Sequence, residues 1–145
     1  MSGKTLLLGQ TLAFDGTPDS ARHHSRGGVL IDGGMIAATG DGPGLRAAHP
    51  DAVVVDCGDA LLSAGFVDGH AHYPQTAMIA SWGKRLIDWL NSYTFPEEMR
   101  FADPVYAAEI ATRYLDLTAD HGTTTVCSFA TIHTASVEAL MREAQ

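Results

Sequence analysis

Phe66-Val67-Asp68-Gly69-His70-Ala71-His72-Tyr73-Pro74 is the stretch on which the reading of the fold turns. It has the form of a short strand closed by Pro74, which lacks the N–H a ladder needs. Strand side chains alternate between faces, so Asp68, His70 and His72 are expected on one face and Val67, Gly69 and Ala71 on the other. Two imidazoles spaced in this way can reach one metal ion, at about 2.0–2.1 Å for zinc. Asp68, on the same face, is expected to support them from behind the ligands. The pair lies at the C-terminal end of its strand, where parallel α/β folds build their sites. A bare His-x-His is a common pattern, and it is the placement that gives this one weight.

Downstream, a helical region is expected around Leu86 to Ser92. Asp103-Pro104 is a helix start, a cap residue followed by Pro at the first position. The helix should run to about His121, with Gly122 at its left-handed end. Val105, Ala108, Thr112 and Leu115 would share one of its faces. Thr123 to Ala130 is β-branched and apolar and reads as a second buried strand, with Cys127 inside it. Thr134 to Gln145 reads as another helix. Strand, helix, strand, helix is the opening of a parallel α/β sheet or barrel.

Upstream the character differs. Lys4 to Phe14 reads as a strand, Asp15 to Gly27 as a polar loop carrying His23 and His24, and Val29 to Ala37 as a hairpin about Asp32-Gly33-Gly34. That turn needs residues that accept positive φ. Gly40 to Pro50 is expected to be a loop broken by Gly42-Pro43-Gly44. Ala52 to Val55 is a short strand, Cys57 a loop residue, and Leu61-Leu62 the start of one more strand. The chain therefore divides into a small all-β unit, 1–63, and the start of an α/β unit, 64–145.

The 145 residues are 46% apolar and 18% charged, an ordinary globular composition. A net charge of −8 argues against a nucleic-acid binder. No run approaches the roughly 18 apolar residues of a membrane span, and Met1 to Leu8 is too short for a signal-peptide core. Two cysteines make no disulfide framework, which fits a reducing cytoplasm. Two βα units do not close an eight-stranded barrel, which takes about 250 residues. The chain is therefore expected to be the N-terminal portion of a longer protein.

Ser63 to His72 resembles the first-strand motif of the amidohydrolase superfamily, metal-dependent hydrolases on a TIM barrel with a β-sandwich built from both chain ends. Within that superfamily, three blocks resemble the guanine deaminases: His70 to Thr76, Leu86 to Glu97, and His121 to Thr125 running on to Thr134. The pattern has Pro where this chain has Ala64, and Thr where it has Gly69. The resemblance implies a TIM-barrel amidohydrolase whose first two βα units follow the N-terminal part of a small β-sandwich. It implies His70 and His72 as the first two ligands of one zinc per subunit, and Gln75 as a residue that hydrogen-bonds guanine. An amide suits a purine edge because it offers both a donor and an acceptor. The implied reaction is hydrolysis of guanine to xanthine and ammonia, in a cytoplasmic homodimer with no nucleic-acid or membrane partner.

The later ligands and the proton-shuttling carboxylate of such an enzyme have no counterpart in residues 1–145, so no catalytic residue is assigned and the chain alone is expected to be inactive. Other readings are a cytosine or triazine-type aminohydrolase, and a non-catalytic fragment with a weak two-His metal site. His133 is expected to be structural or at the outer pocket, and His121 to cap its helix. Trp82, Trp89, Tyr93 and Phe95 could wall a purine pocket, but most are expected to pack in a helical core, and Glu97-Glu98 to be a solvated pair.

Overall fold

A computed structural model describes residues 3–14, 16–17 and 19–145. It is mixed α/β and falls into two compact units, one ending at Ala64 and one running Gly65–Gln145.

The first unit is a sheet of four strands in the order β3-β2-β1-β4. β1 (Thr5–Ala13) pairs antiparallel with β2 (Arg22–Asp32), which pairs antiparallel with β3 (Met35–Asp41), while β4 (Val53–Ser63) lies parallel to β1. The β2–β3 turn is the expected one: Gly33 and Gly34 have φ of 60° and 79°, a conformation that excludes most L side chains and matches the twist of a hairpin. Three expectations fail here. Arg22 to Gly27 is strand, not loop, and Asp15 and Pro18 of that predicted loop lie outside the described residues. Gly42-Pro43-Gly44 starts a helix, α1 (Gly42–Ala48), with Asp41 accepting from the Gly44 amide at 2.8 Å. Pro43 is at home there, because the first turn has no use for its missing N–H. Val53 and Leu61-Leu62 belong to one strand, which takes up extra residues between Asp56 and Leu61 relative to β1 and carries the half-buried Cys57.

The second unit holds two parallel strands, β5 (Phe66–His72) and β6 (Thr123–Phe129). Between them run a 3₁₀ helix (Tyr73–Met78), α2 (Leu86–Trp89), a π-helical turn (Leu90–Thr94), α3 (Phe95–Met99) and the long α4 (Pro104–Asp120); α5 (Thr134–Glu143) follows β6. α4 begins as expected: Asp103 accepts from the Val105 amide at 2.9 Å, ahead of Pro104. It ends at His121, whose Nδ1 lies 2.8 Å from the Leu117 carbonyl, and Gly122 has φ +78°.

The core gathers Tyr73, Phe101, Ala107, Ile110, Ala111, Tyr114, Ala139 and Leu140. The buried stripe of α4 is therefore Ala107-Ile110-Ala111-Tyr114, offset from the expected face; Val105 is exposed, while Ala108 and Leu115 flank the core. Gly65 enters β5 where a Cβ would fall 2.1 Å from Thr124 Oγ1, so the close approach of the two strands requires the absence of a side chain.

Candidate functional site

β5 delivers His70 and His72 to one face at its C-terminal end. Their Nε2 atoms are 3.3 Å apart and their ring centroids 5.2 Å. Phe129, the last residue of β6 and the ladder neighbour of His72, stacks on that imidazole at 4.8 Å with planes 19° apart, and its ring centroid is 5.3 Å from that of His70. The Nε2 separation can be tested against a metal. Two nitrogens at 2.0–2.1 Å from one ion in a tetrahedral arrangement stand about 3.3–3.4 Å apart. The pair as placed meets that distance, and neutral imidazole is a common ligand for such ions. Among the described residues no group of three or more His, Cys, Asp or Glu could hold an ion.

Asp68 does not join the pair on its face. In the ladder Asp68 sits beside Val126 and Ala71 beside Ser128. Val126 and Ser128 are two residues apart and share a face, so Asp68 and Ala71 share it too. Ala71 and Val126 pack against the helical core. β5 therefore holds one residue more than β6 across this interval, a bulge at Gly69-His70, and the bulge reverses the alternation. The Asp68 carboxylate instead accepts from the backbone N–H of His70 at 3.0 Å. Its charge also reaches Tyr114 on α4, whose phenol is pushed up mainly by burial and further by Asp68, with the Ser128 hydroxyl opposing. Tyr114 Oη has no aligned hydrogen-bond partner.

Gln75 lies on the 3₁₀ helix directly after the strand, with its side-chain Nε2 3.4 Å from His72 Nδ1. Its backbone is well held. Tyr73 is fully buried, its amide donates to Ser128 Oγ at 3.0 Å, and its hydroxyl donates to the Ser136 carbonyl at 2.5 Å. Thr76 Oγ1 donates to the Tyr73 carbonyl at 2.7 Å. The structure thus brings His70, His72, Gln75 and Phe129 together. Phe129 escaped the sequence reading because only the β5–β6 register shows that it abuts His72.

Other candidates lie elsewhere. His133 caps the start of α5 and lines a 230 Å³ cavity with Phe95, Glu98 and Met99; its Nε2 is buried without a hydrogen-bond partner. Cys127 is exposed on β6, not buried. Glu97 is no solvated residue: it accepts from Tyr106 Oη and pairs with Arg100 at 3.0 Å. Burial, followed by Glu97, pushes the Tyr106 phenol up to about 12. Trp82, Tyr93 and Phe95 are exposed rather than core, and Trp89 is held through its indole N–H by Ser81.

Residues 61–145 match the amidohydrolase family model, more than half of the chain. The chain belongs to the amidohydrolase family. Residues 27–52 match a bacterial imidazolonepropionase-like composite domain. Among relatives of this amidohydrolase, the guanine deaminase of Escherichia coli (strain K12) is 39% identical over 117 residues, 80% of this chain and 27% of that protein. The crystal structure of guanine deaminase from Bradyrhizobium japonicum superposes with a TM-score of 0.91 at 32% identity, covering 98% of this chain and 32% of that one. That of guanine deaminase from C. acetobutylicum, with guanine bound in its active site, superposes with a TM-score of 0.78 at 29% identity, covering 97% of this chain and 33% of that one. The chain spans about a third or less of the length of these relatives. No helix among the described residues is long and apolar enough to cross a membrane.

Proposed function

We propose that this chain forms the first part of a zinc-dependent guanine deaminase, which hydrolyses guanine to xanthine and ammonia. The observation that carries the reading is the Nε2–Nε2 separation of 3.3 Å between His70 and His72 at the end of a parallel strand, in a chain that superposes along nearly its whole length on guanine deaminases. In this reading β5, α4, β6 and α5 are the first two βα units of an eight-stranded barrel, and β1 to β4 the N-terminal part of a β-sandwich.

His70 and His72 would hold one zinc ion per subunit through Nε2. When bound, zinc makes water acidic enough to serve as a nucleophile near neutral pH. Phe129 covers one face of the His72 ring and lies at a tilt beside that of His70. Gln75, at the rim, would meet the edge of guanine, where an amide can both donate and accept, and so direct the amino-bearing carbon toward the histidines. A catalytic zinc site normally has three protein ligands, so further ligands and the carboxylate that moves the proton would come from outside residues 1–145. The complete enzyme is proposed to be a cytoplasmic homodimer.

The test is made on the complete protein. Elemental analysis should find one zinc per subunit, chelation should abolish loss of guanine absorbance, and His70→Ala should lose both metal and turnover. Full turnover in metal-free protein, or deamination of cytosine but not guanine, would overturn the reading.

A further inference from the structure

We propose that Gln75 is a positioning residue for His72: its side-chain carbonyl accepts the Nδ1 proton and so turns the Nε2 lone pair toward the ion. The inference rests on His70 and His72 being metal ligands, and it assigns Gln75 a role separate from any contact with substrate.

Three contacts surround the His72 ring. Nε2 faces His70 Nε2 at 3.3 Å, Phe129 lies against its face at 4.8 Å, and the Gln75 amide lies 3.4 Å from Nδ1. Neutral imidazole carries one proton. If the Nε2 lone pair is given to a metal, that proton must sit on Nδ1, which then needs an acceptor. Gln75 places a side-chain polar group 3.4 Å from that atom.

As placed, the amide presents Nε2 to the ring. A half turn about its terminal bond exchanges oxygen for nitrogen without changing the shape of the group. The metal-binding tautomer of His72 therefore selects the amide orientation with Oε1 toward Nδ1. That leaves the amide NH₂ free, so the residue would present a donor to whatever ring lies beyond it. The geometry is pre-set by the backbone: His72 immediately precedes the 3₁₀ helix, Pro74 stiffens its first turn, and buried Tyr73 anchors it.

The test compares zinc affinity of the complete protein, by competition with a chromophoric chelator, for the wild type and for Gln75→Ala, Gln75→Met and Gln75→Glu. Met fills about the same space without a strong acceptor, whereas Glu keeps the acceptor. Loss of such a partner weakens a metal site by about 10–100-fold. The expected result is that loss for Ala and Met, with Glu within about threefold of wild type. Ala within about twofold of wild type, Met as good as Glu, or Glu as weak as Ala would each overturn the proposal. His72→Ala, run alongside, separates the two readings: if it binds zinc as well as wild type does, the metal pair itself is wrong and the role of Gln75 falls with it. If it does not bind and Gln75→Ala is unchanged, only the role of Gln75 fails.

Discussion

The bulge in β5 decides which way His70 faces, and the Asp68 carboxylate holds it. Asp68→Ala removes the acceptor of the His70 amide, 3.0 Å away, while Asp68→Asn keeps a carbonyl oxygen in its place. A hydrogen bond involving a charged partner is worth about 1.5–3 kcal/mol and a neutral one about 1 kcal/mol. Asp68 is exposed, so water competes for the carboxylate and the lower end applies, about 1–1.5 kcal/mol. Local opening at His70 should then become about five- to tenfold easier. Hydrogen exchange of a peptide covering residues 66–73 in the complete protein reads this directly: Asp68→Ala should exchange at His70 faster by that factor, with Asp68→Asn close to wild type. If the pair holds zinc as proposed, it does so in the bulged register, so zinc affinity should fall in Asp68→Ala, by at most about tenfold. Unchanged exchange in Asp68→Ala, or exchange in Asp68→Asn as fast as in the alanine variant, would refute the claim that this hydrogen bond sets the register.

Other expectations follow from packing and burial. Gly65→Ala places a Cβ 2.1 Å from Thr124 Oγ1 and 2.7 Å from Thr124 Cβ and should destabilise by about 1–3 kcal/mol, read as a lower melting temperature; combined with Thr124→Gly, which removes both atoms, it should cost less than the sum of the two single changes, and simple additivity would count against the steric account. Tyr73, its phenol pushed by burial from 10.0 up to about 12, is held neutral in the folded chain. Its contribution to stability is present in full below pH 10 and is lost between about pH 10 and 12, as the unfolded phenol ionises first. Tyr73→Phe should show a smaller loss over that window in alkaline melting curves. Phe129→Ala removes the stacking on His72, worth about 0.5–1.5 kcal/mol, and should weaken zinc about two- to tenfold in the same chelator competition.

The sequence made the elements around the site legible where local chemistry is decisive. Asp103-Pro104 and Asp32-Gly33-Gly34 specify a cap and a turn through a few adjacent residues, and both are found. Gly42-Pro43-Gly44 misled because the same residues that break a helix in its middle can start one when Asp41 caps it. The stripe of α4 was misplaced because the apolar residues of that helix fill more than one face, and only contact with Tyr73 and Ala139 selects the buried one. That His70 and His72 end up side by side follows from spacing and placement at a strand end, and the structure has them so; the geometry around them does not follow. Strict alternation places Asp68 with them, and the ladder places it opposite.

The bulge sets the charge around the imidazole pair. A regular strand would bring a carboxylate to the side of the histidines, where it would compete for the ion or for their protons. One extra residue between Asp68 and Ala71 turns that charge toward α4 and spends it on the backbone of His70. The same shift aligns His72 with Phe129. Acidic and basic groups only two positions apart are thus assigned to opposite faces, and the imidazole pair is left with neutral neighbours, Phe129 and Gln75. An ion held there would keep more of its positive charge for the ligands still to be supplied than it would beside a carboxylate.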